Sequence, residues 1–90
     1  MDKFFMDLEF LCDRDHVYED DVIAICILSE DDSYELTNFV RPYDEVFEVS
    51  EYCTDLTGIT KEDLIDQPCF DELYETMLEN VGEEDIIYVW

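Results

Sequence analysis

The stretch FFMDLEFLCD (residues 4–13) decides how this chain is read. It is apolar and β-prone, yet two carboxylates, Asp7 and Glu9, sit two residues apart inside it. A strand places residues so spaced on one face, so both side chains project together from a hydrophobic sheet. Paired carboxylates in such surroundings hold a metal ion or do acid–base chemistry; the plain alternative is two solvated acids at a sheet end.

Working outward, DRDHVYED (13–20) reads as a polar connection and VIAICIL (22–28) as a central strand covered on both faces. SEDDS (29–33) reads as a turn, and YELTNFVRP (34–42) alternates and stops at Pro42, as a hairpin partner would. Residues 43–58 read as an irregular loop with room for one short helix. TKED (60–63) has the form of a capping box, with Thr60 as cap and Asp63 at the third helical position. Pro68 opens a second helix, on which Phe70, Leu73, Tyr74, Met77, Leu78 and Val81 form one apolar stripe read as core. Gly82 is its expected stop, and DIIYVW (85–90) is a last strand. The order is β-β-β-α-α-β. The helical connection lets the last strand run parallel to the first, in a mixed α/β sheet of about four strands.

Ninety residues make one small domain with a limited core, and an apolar content of 48% is ample for folding. The charge is unusual: 27 Asp and Glu face four Lys and Arg, a formal net charge of −23. Self-repulsion opposes compaction at low ionic strength. Direct nucleic-acid binding is disfavoured, because there is almost no cation to neutralise phosphates. Basic surfaces or cations are the expected partners. Cys12, Cys26, Cys53 and Cys69 form no C-x-x-C pair, which argues against a zinc knuckle or redox motif. They read as four buried thiols in a reducing cytosol, with two disulfides in a secreted protein as the alternative. No signal peptide and no membrane-spanning run are evident, so the expected location is cytoplasmic.

Six landmarks stand in order: FFMDLEFLC, DDVIAICIL, NFVRP, SEYCTDLTGIT, PCFDELYETML and IIYVW. Together they resemble the amino-terminal half of the DEDD-type 3′–5′ exonucleases, which have an RNase H-like fold. The closest branch is the one that trims RNA ends, and YCTDLTGIT (52–60) with the upstream VRP is the most specific part. The resemblance covers nearly all of residues 1–90 as a single truncated domain. It implies that Asp7 and Glu9 supply two carboxylates to a two-metal Mg²⁺ or Mn²⁺ site that activates water and stabilises the leaving oxygen of a phosphodiester. The family's later aspartates and its general-base histidine have no counterpart before Trp90. Leu11 stands where the family has threonine, Ala24 where glutamate is common, and Cys26 where glycine is common. The expectation is therefore a copy that is not an enzyme by itself, with Asp7 and Glu9 vestigial and no cofactor. His16 reads as a surface side chain rather than a base.

The remaining carboxylates are clustered, notably Glu19, Asp20 and Asp21; Glu30, Asp31 and Asp32; and Asp71, Glu72, Glu75 and Glu79. Carboxylates on a rigid scaffold can imitate a nucleic-acid backbone and occupy the Lys and Arg groups of a nuclease or DNA-binding protein. In size and charge the chain is similar to acidic DNA-mimic inhibitors of phages and mobile elements, anti-CRISPR proteins among them. The leading expectation is thus a small acidic inhibitor that binds a basic nucleic-acid-binding protein, such as a CRISPR effector or nuclease, through those three clusters. The alternatives are an amino-terminal piece of a metal-dependent 3′–5′ exonuclease and a non-catalytic interaction remnant of one. An open sheet edge at 85–90 and one open apolar face also predict a homodimer, or a face sealed by the partner, with Tyr88 and Trp90 near the contact.

Overall fold

Runs of β-branched and aromatic residues make a three-stranded meander in the computed structural model, which describes residues 2–89. Its strands are β1 (Lys3–Asp13), β2 (His16–Ser29) and β3 (Glu35–Phe39). β1 pairs antiparallel with β2 from Phe4 opposite Ser29 to Asp13 opposite His16, and β2 pairs antiparallel with β3 from Leu28 opposite Glu35 to Ala24 opposite Phe39. The chain then crosses through α1 (Glu51–Thr57), α2 (Lys61–Leu64) and α3 (Phe70–Leu78) to β4 (Ile86–Val89). β4 lies parallel to β1, giving the sheet order β3-β2-β1-β4. This is the mixed α/β sheet that the RNase H-like reading implies, with a third helix added.

Burial on β2 shows how the sheet is covered. Ile23, Ile25 and Ile27 are buried, whereas Val22, Ala24, Cys26 and Leu28 are only half-buried. The apolar run 22–28 is therefore covered on one face, not two. On that face Phe4 and Ile27 meet Met77 and Val81, and Ile25 meets Val40 and Leu73. At the far end Leu11, Cys12 and Ile23 pack with Phe47, Cys53, Ile59 and Leu64. Each such apolar side chain contributes roughly 1.5–3 kcal/mol through burial.

Local chemistry sets the helix boundaries. Ser50 caps α1: its Oγ accepts from the Cys53 N–H at 3.1 Å and donates to the Cys12 carbonyl at 2.7 Å, tying α1 to β1. Gly58 closes α1 in the left-handed region (φ 78°), its N–H reaching the Thr54 carbonyl at 2.7 Å. Thr60 and Asp63 form the reciprocal capping box that TKED predicts, the Thr60 N–H donating to Asp63 at 2.9 Å. α3 starts after Cys69, and Asp71 and Glu72 in its first turn complement the helix dipole. Asp85 anchors β4, accepting from the Asp2 N–H at 2.8 Å and the Gly82 N–H at 2.7 Å. These two backbone donors hold its carboxyl below the usual range.

Several expectations are corrected. Residues 13–20 are not a connection: the β1–β2 ladder continues through Leu11–Tyr18, Cys12–Val17 and Asp13–His16, and the Tyr18 hydroxyl donates to Asp13 at 2.7 Å. Only half of the α3 stripe is core. Leu73, Met77 and Val81 are buried, while Tyr74 and Leu78 stay exposed because no described element covers that flank. α3 ends at Leu78, before Gly82, whose N–H instead serves Asp85. The thiols also divide: Cys12 and Cys53 are buried, Cys26 and Cys69 half-buried, and all four are free. Trp90 lies outside the described residues. No described helix is long and apolar enough to cross a membrane.

Two outcomes follow from this packing. Ile27→Ala, at a site with 0% exposure, is expected to cost about 2–5 kcal/mol in urea unfolding. The half-buried Phe5→Ala on the uncovered face is expected to cost less. Among the described residues Lys61–Glu48 (3.0 Å) is the one ion pair, so most of the 27 acids have no compensating cation. Raising NaCl from 10 to 300 mM (about 30 Å to under 8 Å of Debye length) is therefore expected to raise the melting temperature.

Candidate active site

Strand alternation puts Phe5, Asp7 and Glu9 on the face of β1 that no described helix covers, and both acids are exposed. The register sets Cys26 opposite Asp7 and Ala24 opposite Glu9. The next strand adds Thr37 opposite Cys26 and Phe39 opposite Ala24. These small β2 side chains leave a cleft of about 370 Å³, lined by Asp7, Glu9, Ala24, Cys26, Phe39 and Gln67 among others. Asn38 closes one side, its Nδ2 donating to the Phe39 carbonyl at 2.7 Å and to Gln67 Oε1 at 3.2 Å. The Thr37 hydroxyl points to the Cys26 sulfur at 3.5 Å.

The pair ends at Glu9 for a structural reason. The β1–β2 register shifts between Glu9 and Phe10 and again between Phe10 and Leu11. This bulge turns Leu11 away from the open face, where simple alternation would put it, and into the helix-side core at 9% exposure. Leu11 therefore contributes packing and no polar group.

Two carboxylates at fixed strand spacing are oxygen donors of the kind that suit Mg²⁺ or Mn²⁺. Magnesium commonly takes only one or two protein carboxylates and keeps water and substrate phosphate in its other positions, so the donor set fits. Among the described residues no group of three or more His, Cys, Asp and Glu is placed to hold a metal ion. Asp7 and Glu9 by themselves therefore fall short of a complete metal site. His16 sits at the β1–β2 hairpin tip, edge-on to Tyr18 at 4.5 Å and exposed.

The acidic clusters do not converge. Glu19, Asp20 and Asp21 lie on β2 near that tip; Glu30, Asp31 and Asp32 form the β2–β3 turn; Asp71, Glu72, Glu75 and Glu79 follow the outer side of α3. Some have local structural duties. Asp31 accepts from the Ser33 hydroxyl at 2.6 Å and the Ser33 N–H at 3.0 Å, which hold its carboxyl below the usual range. Asp32 takes the left-handed conformation (φ 61°) that the turn requires, and Asp71 accepts from the Tyr43 hydroxyl at 2.9 Å.

With D-x-E on the central strand of a β3-β2-β1-β4 sheet, comparison with known proteins is decisive. The RNase T exonuclease family model matches residues 4–88. The chain belongs to the RNase T exonuclease family. Among solved structures, a full-length 3′-exonuclease superposes with a TM-score of 0.73 at 19% identity, covering 98% of this chain and 45% of that one. A 3′-exonuclease described for 3′-end-specific recognition of a histone mRNA stem-loop gives 0.67 at 18% identity, covering 96% of this exonuclease-family chain and 35% of that one. Cell-death related nuclease 4 gives 0.59 at 19% identity, with 96% and 34% covered. At these identities the likeness is one of fold, and this exonuclease-family chain spans less than half the length of those proteins. A search of curated proteins found no match. These findings support the exonuclease reading of the sequence over the mimicry reading, for which they give no support.

D-x-E was legible from the sequence, whereas the wall formed by Phe39, Asn38 and Gln67 was not. Alternation in YELTNFV places Phe39, but Gln67 reaches the cleft only through the path of the chain after α2.

The thiols supply a check on the geometry. Burial, a hydrogen bond with Cys53 and the nearby Cys53, Asp13 and Glu9 charges push the Cys12 thiol up to about 11. The fold thus favours its protonated form; that stability is fully present below the ordinary value of 9.0 and lost as pH rises through about 11. At pH 8, iodoacetamide is expected to label Cys26 and Cys69 in the native protein. Cys12 and Cys53 should react only on unfolding.

Proposed function

We propose that this chain is the D-x-E-bearing portion of a metal-dependent 3′–5′ exonuclease acting on RNA or DNA ends. The single observation that carries the reading is Asp7 and Glu9 side by side on the uncovered face of the central strand, in a chain of an exonuclease family. The two carboxylates would hold Mg²⁺ or Mn²⁺. Such an ion, when bound, activates water and stabilises the leaving oxygen. The chain's own contribution is placement. β1 is paired with β2 at Asp7 and Glu9 and with β4 just before them, at Lys3–Met6, so the two acids are held at a separation of about 7 Å along the strand. Ala24 and Cys26 leave room above β2 for a ligand or an approaching segment. No Lys or Arg lines the cleft, so phosphate charge must be met by bound cations or by groups outside these residues. The further carboxylates and the base are likewise assigned to polypeptide outside residues 1–90.

Mn²⁺ titration followed by NMR is expected to broaden signals around Asp7, Glu9 and Cys26 selectively, and Asp7→Asn with Glu9→Gln to abolish that broadening. Broadening spread evenly over the acidic surface would argue against a site. With end-labelled single-stranded RNA or DNA and Mg²⁺ or Mn²⁺, residues 1–90 alone are expected to release no 3′ nucleotides. Release that vanishes in Asp7→Ala would show that these residues hold a complete site.

A further inference from the structure

Cys12 on β1 and Cys53 on α1 are buried thiols, 5% and 0% exposed, and neither lines the cleft beside Asp7 and Glu9. One hydroxyl joins their main chains: Ser50 Oγ donates to the Cys12 carbonyl at 2.7 Å and accepts from the Cys53 N–H at 3.1 Å. The Cys53 thiol turns back to β1, its sulfur 3.8 Å from the Phe10 carbonyl oxygen to which it donates. The bulge at Phe10 sends Leu11 and Cys12 into the same cluster as Cys53. There the two thiols interact directly, by a hydrogen bond and through charge.

The pair is enclosed by the fold itself. Ile23 of β2, Phe47, Ile59 and Leu64 of α2 complete its surroundings, and all are apolar. Cys26 and Cys69 stand apart: Cys26 lies on the open face of β2 opposite Asp7, and Cys69 precedes α3, bridged to Arg41. Cys12 and Cys53 thus have only each other to pair with. Packing alone asks for nothing more than small apolar side chains here. Two thiols in contact add a chemistry that such side chains lack, two-electron closure to a disulfide.

We propose that Cys12 and Cys53 are a redox latch, which hydrogen peroxide closes to a disulfide and a thiol reductant reopens. One sulfur attacks a peroxide oxygen and the O–O bond breaks, leaving a sulfenic acid and one water. The neighbouring sulfur then attacks the sulfenyl sulfur and the S–O bond breaks. The hydroxyl leaves with the second thiol proton as a second water. Two thiols thus lose two electrons and two protons, and one peroxide becomes two waters. The new bond ties the seven-residue α1 covalently to β1, where Ser50 already holds it by hydrogen bonds. Burial, and a Cys12 thiol held protonated, make closure slow, so the latch answers sustained rather than brief oxidation. This goes beyond the exonuclease reading and does not rest on Asp7 or Glu9.

The test uses a Cys26→Ser, Cys69→Ser variant, which keeps the buried pair and removes the half-buried thiols. The folded protein is held with hydrogen peroxide at pH 8, alkylated with iodoacetamide in urea and digested with trypsin. Cleavage after Lys3, Arg14 and Lys61 puts Cys12 in peptide 4–14 and Cys53 in peptide 15–61, since the Arg41–Pro42 bond resists trypsin. The proposal expects those two peptides joined in most molecules, by a bond that dithiothreitol releases. It also expects the closed form to melt about 5 °C or more above the reduced one with the same far-ultraviolet circular dichroism, because the link restricts the unfolded chain. Dithiothreitol should return the melting temperature, a reversal that methionine oxidation would not show. Adding Cys12→Ala to the variant should remove the rise. Unreacted cysteines, sulfinic or sulfonic acid without a link, or a link that forms only when urea is present during oxidation overturns the proposal. So does a closed form that melts no higher than the reduced one, or a rise that persists in Cys12→Ala.

Discussion

The two-sided pairing of β1 is the constraint on which the rest depends. β1 bonds antiparallel to β2 along nearly its whole length and parallel to β4 along Lys3–Met6. A parallel neighbour cannot be reached by a tight turn, so the crossover through α1, α2 and α3 is a requirement of that pairing. The crossover in turn lays Leu73, Met77 and Val81 over one face and leaves the other to Asp7 and Glu9. One strand therefore fixes the fold, divides core from site and, through its β2 ladder, sets the spacing of the two acids.

That pairing coexists with a surface that works against it. Twenty-seven acids and four cations surround a core of modest size. The sheet tolerates this because its carboxylates are spread over the hairpin tip, the β2–β3 turn and the outer side of α3 rather than set against one another in the core. Several are enlisted locally: Asp63 in the capping box, Asp31 in the turn, Asp85 in fastening β4 to the first residues. The acidity is thus partly structural chemistry and partly an exposed negative field with few compensating cations.

Much of this was legible in the sequence, and the exceptions have identifiable causes. TKED announced its own cap, the apolar runs announced the strands, and D-x-E announced the candidate site. The hairpin tip was missed because Asp13, Arg14, Asp15, His16, Glu19 and Asp20 mask an alternation that the ladder nevertheless uses. The α3 stripe was read too broadly because periodicity shows which side of a helix is apolar, not how much of it the rest of the fold covers. Tyr74 and Leu78 are apolar by pattern and exposed by circumstance. The uncovered face of β2 escaped notice for the same reason: ICIL has the same composition whether one layer or two lies over it.

The bulge at Glu9–Leu11 gives β1 two independent phases. Before it, odd-numbered residues present chemistry to the open face; after it, Leu11 and Cys12 both serve the core, and Ser50 fastens α1 to the Cys12 carbonyl. The two halves of the strand can therefore drift separately: replacements at Asp7 or Glu9 leave the hydrophobic end undisturbed, and repacking around Cys12 leaves the acids in place. What the strand cannot absorb is a change in length. Removing one residue at Phe10 would bring the halves into a common phase, with either the carboxylates pressed under the helices or the far end of the hairpin turned inside out. The indispensable information in this segment is its count as much as its composition.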